Sequence, residues 1–196
     1  NIPFLPISFF KSHLVLTGEY IPKKVFTSSG TTYSVRSKHL IRDPELYYFI
    51  SSFCFQFAFG QSVDQVVHVG LLPSYASNPD SSLLSMLDYF IKKGGGGYFH
   101  QEEGDLVDFI VREQEKKIFL WGVSYALLNW KHHFPINDRL TLIETGGMKG
   151  MQAEITRAEL HSEIKKNFHV RSVASEYGMT ELLSQAYAIR DGLFTF

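Results

Sequence analysis

The hydrophobic positions from residue 66 onward alternate between short continuous runs and longer stretches with helical spacing. A short continuous apolar run is typical of a strand that is buried on both faces of a sheet. Such runs predict strands at Val66–Leu72, Tyr98–Phe99, Ile118–Val123, Leu140–Ile143 and Val170–Val173. Apolar residues three or four positions apart predict helices between them at Ser81–Lys93, Asp105–Lys116, Ser124–His133 and Thr156–Phe168. This alternation predicts an α/β fold with a mostly parallel sheet and crossover helices.

Polar residues and glycines refine the predicted ends of these elements. Thr156 and Glu159 have the spacing of a capping box, which marks the start of a helix. Asp105 is predicted as the N-cap of its helix. We interpret the run Gly94–Gly97 as a flexible connection from helix to strand. As a phosphate-binding loop it lacks the lysine and the helix start that the P-loop requires.

The first sixty residues follow a less regular pattern. Ile2–Phe10 carries two prolines and is predicted to lie extended over the core, and Leu14–Gly18 is predicted to be a short strand. Pro44–Phe59 is predicted to be a long helix. Its aromatic centre is too short to cross a bilayer and contains polar residues, so we expect a buried or substrate-lining helix and no membrane span.

Composition and charge narrow the classes of protein that fit. The chain has 196 residues, enough for one sizeable core, and a formal net charge of -1, which argues against a nucleic-acid partner. Cys54 is the only cysteine, so no intrachain disulfide can form and a cytoplasmic location is predicted. Its phenylalanine neighbours indicate a small buried side chain. The start at Asn1 and the end at Phe196 lead us to expect a piece of a longer protein.

A run of hydroxyl residues around a glycine occurs at Phe26–Thr32 (FTSSGTT). Backbone N–H groups and hydroxyls in such a loop suit phosphate oxygens, and Arg36 and Lys38 follow with positive charge. The alternative is a polar turn between two strands.

A second motif, SEYGMTE, occupies Ser175–Glu181. The ring of Tyr177 can stack on adenine, Thr180 can donate to an α-phosphate, and Glu181 is a hard oxygen ligand suited to magnesium. This motif and the turn Thr145–Gly147 each follow a predicted strand, where open parallel sheets bind ligands. The alternative is a strand-to-helix turn that Thr180 caps.

Three stretches together resemble a known family. TSSGTT, then IETGGMKG (Ile143–Gly150), then SEYGMTELLSQAY (Ser175–Tyr187) follow the motif order of the adenylate-forming superfamily of acyl-CoA synthetases, adenylation domains and luciferases. Within it, the chain is most similar to the acyl-protein synthetase of bacterial bioluminescence and more distantly similar to phenylacetate-CoA ligases. The resemblance runs through nearly the whole chain. It implies a single partial adenylation domain over residues 1–196, without the C-terminal portion and the lid domain.

The resemblance implies roles for individual residues. The β- and γ-phosphates of ATP would be held by Ser28, Ser29, Gly30, Thr31 and Thr32. The adenine would lie along Gly146, Gly147 and Met148 and beside Tyr177 and Gly178. Thr180 would contact the α-phosphate, Glu181 would bind magnesium, and Arg36 stands where the superfamily has its loop lysine. Tyr33 and Val35 replace the glycine and the proline of that loop.

The implied reaction uses ATP and magnesium to convert a hydrophobic, fatty carboxylic acid into an acyl-adenylate. AMP is a far better leaving group than oxide, so the acyl group can then move to a protein thiol and on to a fatty-acid reductase partner. Two alternatives stay open: an acid-CoA ligase of the phenylacetate type, and a non-catalytic nucleotide-binding module that partners an acyl reductase. His68 and Trp121 are predicted to be core residues rather than catalytic ones.

Overall fold

The structure is a computed structural model that describes residues 4–29, 35–99, 103–132, 136–146, 155–189 and 192–194. The strands are β1 (Lys24–Thr27), β2 (Lys38–Ile41), β3 (Val67–Leu71), β4 (Gly96–Tyr98), β5 (Ile118–Gly122), β6 (Leu140–Glu144), β7 (Val173–Gly178) and β8 (Gln185–Ala188). The helices are α1 (Phe9–Ser12), α2 (Pro44–Phe59), α3 (Ser82–Gly94), α4 (Glu103–Arg112), α5 (Ser124–Leu128) and α6 (Arg157–Phe168), and Tyr75–Ser77 forms a 3-10 turn. Among these helices, none combines the length and the apolar character that a bilayer crossing requires.

The main sheet has the strand order β4-β3-β5-β6-β7-β8. Its first five strands run parallel, and β8 pairs with β7 in the antiparallel sense. The hairpin β1–β2 forms a separate antiparallel pair. The predicted α/β class with a mostly parallel sheet is therefore confirmed.

Each face of the main sheet is covered by its own hydrophobic cluster. In β5, Ile118 and Leu120 point into a cluster with α4, α5 and α6, whereas Phe119 and Trp121 point into a cluster with α2 and α3. Every residue of β5 is buried. This two-sided burial explains why the strand sequence is continuously apolar rather than alternating.

Helix α2 begins and ends as the sequence predicts. Asp43 caps it by accepting a hydrogen bond from the Glu45 backbone N–H (3.3 Å). Only one side of the helix is buried, however, because Phe49, Phe53 and Phe57 are 68%, 61% and 61% exposed. The expectation of a buried or substrate-lining helix therefore fits the inner side, where Tyr47, Ser51 and Phe55 are buried, and Cys54 is half-buried rather than buried.

The glycine run connects helix to strand as predicted, but most of it belongs to the two elements themselves. Gly94 is the last residue of α3, and Gly96 and Gly97 belong to β4, which pairs with β3. A Cβ on Gly96 would lie 1.8 Å from the carbonyl oxygen of His68. The glycines therefore let the edge strand approach its neighbour closely.

The N-terminal predictions are wrong. Phe9 and Phe10 belong to α1, and no strand occurs within Leu14–Gly18. Of the described residues in the predicted extended segment, Phe4 is 95% exposed, so its side chain does not cover the core. Further along the segment, Phe10 is partly buried and packs edge-on against His39 of β2, with ring centroids 5.5 Å apart.

Two predicted helix boundaries also differ from the structure. Asp105 lies inside α4, which already includes Glu103, so it is not the N-cap. Helix α5 ends at Leu128 instead of His133, because Asn129 forms the C-cap and its side chain donates to the Tyr125 carbonyl (2.8 Å). Trp130 then turns inward and stacks on Phe168, which ends the helical path.

The capping box at the start of α6 is present as predicted. Glu159 N–H donates to Thr156 Oγ1 (3.3 Å), and the Glu159 carboxylate accepts from Thr156 N–H (2.8 Å). We expect Thr156→Ala to lower the free energy of unfolding by about 1 kcal/mol, since the Glu159 backbone N–H loses its side-chain acceptor. Urea unfolding measures this loss. Thr156→Ser should keep most of the stability, and an equal loss in both variants would contradict the capping role.

Candidate active site

A cavity of about 400 Å³ opens where several parallel strands end. Leu72 follows β3, Val123 follows β5, Thr145 and Gly146 follow β6, and the end of β7 completes this wall. The carboxyl ends of parallel strands share one edge, which is where open α/β sheets bind ligands. The other wall consists of residues from the hairpin and from the start of α3: Thr27, Ser28, Ser29, Arg36, Ser81, Ser82, Leu83 and Leu84.

The two motifs from opposite ends of the chain meet at this cavity. Among the predicted site residues, those that line it are Ser28, Ser29, Arg36, Gly146, Gly178 and Thr180. Tyr177 and Glu181 lie just outside its lining. Gly30, Thr31, Thr32, Gly147 and Met148 lie outside the described residues. The fold thus brings residues that are about 150 positions apart in the chain, such as Ser28 and Gly178, to the same cavity.

The neck of the β1–β2 hairpin is closed by Ser28 and Ser37. Ser28 N–H donates to the Ser37 carbonyl (3.0 Å), and Ser37 N–H donates to Ser28 Oγ (2.9 Å). The Ser28 hydroxyl keeps its own proton for a further acceptor. Ser29 and Arg36 stand on either side of the segment between the strands, so both ends of the predicted phosphate loop face the cavity.

The SEYGMTE motif begins inside a strand. The predicted strand Val170–Val173 is therefore wrong in its bounds, since the observed strand β7 is Val173–Gly178. Strand β7 includes Ser175–Gly178, and the turn follows only at Met179. Successive side chains point to opposite faces. Ser175 bonds to Nε2 of His161 on the α6 side (3.0 Å), while Glu176 lines the cavity on the other side. No helix begins at Thr180, because the chain returns as β8.

Tyr177 lies on the same face of β7 as Ser175 and is 48% exposed. Its ring packs edge-on against Phe194 with centroids 5.9 Å apart, and the Arg157 guanidinium lies over Phe194. A half-exposed ring with an aromatic neighbour can accept a planar base.

Thr180 and Glu181 form the turn between β7 and β8, and His39 holds this turn. Nδ1 of His39, on β2, donates to the Thr180 carbonyl oxygen at 2.9 Å. A carbonyl only accepts, so this bond places the imidazole proton on Nδ1. Burial lowers the pKa of His39, against the opposing effects of the Thr180 hydrogen bond and the Glu181 charge. The phosphate-loop hairpin and the second motif are therefore joined by one direct bond.

We expect His39→Ala to lower any ATP-dependent activity of this site about tenfold, because a small displacement of the turn misplaces Thr180 and Glu181. His39→Asn should recover most of it, since the amide N–H can take the place of Nδ1–H. The exposed His13 provides the control as His13→Ala. Equal activity in the Ala and Asn variants would contradict the positioning role.

Glu144, which the sequence analysis missed, supports one wall of the cavity through its bond to Gly146. It ends β6, is 4% exposed, and its Oε1 accepts from Ser124 Oγ and from Gly146 N–H, each at 2.6 Å. The Gly146 carbonyl oxygen in turn accepts a hydrogen bond from the Ser124 backbone N–H (3.1 Å). The carboxylate thereby fixes the Thr145–Gly146 turn against the start of α5. A carboxylate that ends an apolar run, directly before Thr-Gly-Gly, is the signal that could have revealed it.

Glu176 is the second missed residue, and its environment is unusual for a carboxyl group. Burial, together with the charge of Glu144, raises its pKa to about 8. It is therefore mostly protonated and neutral at pH 7. Gln185 lies beside it in the cavity lining.

His68 and Trp121 are core residues, as predicted. Both are fully buried, and Trp121 Nε1–H donates to His68 Nδ1 (3.3 Å). His68 Nε2 donates to the Val63 carbonyl (3.0 Å), and burial lowers the pKa of His68 to about 4. Neutral and fully bonded, His68 has no free nitrogen for catalysis.

Comparison with known proteins yields structural matches only. No protein-family model matches the sequence, and no curated protein is significantly similar to it. ATP-bound MatB from Rhodopseudomonas palustris superposes with a TM-score of 0.53 at 16% identity, over 86% of this chain. The ATP-bound RpMatB-BxBclM chimera B3 gives the same values. The chain has the fold of these structures.

The match covers one part of each of those larger proteins. The chain spans 31% of the length of the MatB and chimera chains. A malonyl-CoA ligase in a ternary product complex with methylmalonyl-CoA and AMP superposes less well, with a TM-score of 0.49 at 18% identity over 88% of this chain and 36% of that one. At such identities the likeness establishes the fold and leaves the activity to be argued from the site.

Proposed function

We propose that this chain carries the nucleotide-binding part of an adenylate-forming ligase, which activates a carboxylic acid with ATP and passes the acyl group to a thiol. The observation that carries the proposal is the convergence of Ser28, Ser29 and Arg36 with Gly146, Gly178 and Thr180 around one cavity. Hydroxyls, backbone N–H groups and one cation in a shared cleft suit a polyphosphate.

The residues fit the groups that the reaction needs. Thr180 would donate to the α-phosphate, and Arg36 would offset phosphate charge as the reacting oxygen attacks. Glu181 would bind magnesium, which in nucleotide sites takes one or two carboxylates and completes its shell with phosphates and water. Bound magnesium would supply charge neutralisation on the departing pyrophosphate. Tyr177, half-exposed beside this turn, would stack on the adenine.

The acyl acceptor separates two versions of the proposal. The sequence resemblance favours an acyl-protein synthetase that acts on a fatty acid, works with a reductase partner and resides in the cytoplasm. The shared fold with MatB, a malonyl-CoA ligase of the adenylate-forming superfamily, favours CoA as the acceptor. Cys54 lies on α2, which contributes no residue to the cavity lining, so it is not a candidate acceptor.

Isotope exchange between pyrophosphate and ATP, measured with a panel of carboxylic acids and magnesium, tests the adenylation step. Exchange that depends on an added acid is the expected result. A folded sample that binds ATP without exchange on any acid would instead indicate a non-catalytic nucleotide-binding module. Adding CoA to an exchanging sample identifies the acceptor: acyl-CoA release supports the ligase version, and labelling of protein supports the acyl-protein synthetase.

A further inference from the structure

The last described segment of the chain, residues 192–194, returns to Tyr177. At Gly192 the backbone has a φ of 66°, in the left-handed region that favours glycine. Leu193 then points to solvent and is 74% exposed, whereas Phe194 is half-buried. Phe194 packs edge-on against the Tyr177 ring, with centroids 5.9 Å apart and ring planes at 63°. Two aromatic rings thus meet at a steep angle beside the second motif.

Arg157 holds this segment against the start of α6. Its guanidinium lies over the Phe194 ring, 4.9 Å from the centroid, and its Nη1 donates to the Gly192 carbonyl oxygen (3.4 Å). Arg157 is the first residue of α6, where a positive charge opposes the helix dipole. The charge of Arg157 therefore does not serve the helix, and its contacts with Gly192 and Phe194 give it a separate role.

The Tyr177 ring borders an opening between two strand ends. Strand β7 continues over residues 176–178 beyond Ser175, its last residue paired with β6. The turn after β6 lies on the same side of the sheet as the ring, because the Gly146 carbonyl is bonded to the start of α5, and α5 packs against α6. Tyr177 is 48% exposed, so the described residues leave room for a planar group beside it.

We infer that Phe194 is a second aromatic contact of the nucleotide base in this site, and that Arg157 is the positioning residue that holds Phe194 beside Tyr177. The inference rests on the proposed function, which places the adenine of ATP on Tyr177. A base stacked on Tyr177 is parallel to that ring, so it meets Phe194 in the inclined arrangement that aromatic pairs favour. Such contacts involve the base and not the phosphates, so Phe194 should contribute only to affinity for the nucleoside part.

Isothermal titration calorimetry on the full chain tests this by comparing ATP with tripolyphosphate, which lacks base and ribose. Phe194→Leu keeps an apolar side chain and removes the ring. It should weaken ATP binding roughly tenfold and leave tripolyphosphate binding unchanged, whereas Phe194→Tyr should keep the wild-type affinity. An unchanged ATP affinity in Phe194→Leu would overturn the inference. A higher one would also overturn it, because Phe194 would then cover the ring that the base needs.

Variants of Arg157 test its positioning role. Arg157→Gln removes the cation from the Phe194 ring and should weaken ATP binding about threefold, again without a change for tripolyphosphate. Arg157→Lys keeps a cation and should restore most of the affinity. Arg112→Gln, on the exposed side of α4, is the control. Weaker binding of both ligands in Arg157→Gln would make Arg157 a phosphate contact and overturn its positioning role.

The same titrations distinguish this inference from the proposed function. A wild-type chain that binds no ATP would overturn both. ATP binding by the wild type, with no effect of Phe194→Leu, would overturn the role of Phe194 alone.

Discussion

Replacing Glu181 with alanine should reduce acid-dependent pyrophosphate exchange by at least about a hundredfold. Its carboxylate follows Thr180 in the β7–β8 turn and is the proposed protein ligand of magnesium. Removing a preorganised group that stabilises charge in the transition state typically has an effect of this size. Glu181 is half-buried and lies in a turn, so the free energy of unfolding should change by less than about 0.5 kcal/mol.

Magnesium titration separates a lost ligand from a displaced turn. The Glu181→Ala enzyme should need a higher magnesium concentration for its residual activity, and Glu181→Asp should lie between the two. Glu163→Ala, on the exposed side of α6 where Glu163 pairs with Lys166, removes a carboxylate far from the cavity and should have no effect. Unchanged exchange in Glu181→Ala would contradict the assignment.

Replacing Glu176 with glutamine should stabilise the protein, and more so at pH 8 than at pH 5. Burial raises the pKa of Glu176 from 4.5 to about 8, so between these values the folded chain holds a proton that the unfolded chain has released. The free energy of unfolding then falls by about 1.4 kcal/mol per pH unit as pH rises, and the loss is complete above pH 8. Glutamine has no such proton, which gives a gain of roughly 3 kcal/mol at pH 7.

Urea unfolding of wild type and Glu176→Gln at pH 5 and pH 8 measures this difference. The groups that face Glu176 are Tyr47 from α2, Tyr187 from β8 and Glu144 from β6. Burial keeps both tyrosines neutral by raising their pKa, so they do not titrate in this range. Glu163→Gln is the exposed control. Equal stabilisation by Glu176→Gln at both pH values would contradict the raised pKa of Glu176 as its cause.

Local signals in the sequence were enough to predict much of the fold. The strand Val67–Leu71 is buried on both faces, and its continuous apolar run has no other simple explanation. Helix α2 has an Asp–Pro start and a glycine end, and α6 has a capping box, each of which acts within a few residues. These elements could be predicted because neighbours in the chain determine them.

The polar strand and the cavity could not be predicted in the same way. Ser175 and Glu176 look like loop residues, yet Ser175 pairs with β6 and is buried, and Glu176 pairs with β8 and is partly buried. Strand β8 is short and is buried largely through its packing on α2, which is distant in sequence. The motifs contain several residues that line the cavity, but the buried Glu144 and Gln185 and the partly buried Glu176 depend on tertiary contacts that no local pattern encodes.

The antiparallel pairing of β7 with β8 has a consequence for the order of folding. The connection between these strands is only residues 179–184, so they can pair within microseconds as a hairpin. Each parallel pair must first close a longer loop around a crossover segment, which is slower. During refolding we therefore expect the turn with Thr180 and Glu181 to form first, and the parallel strands whose ends line the cavity to pair after it.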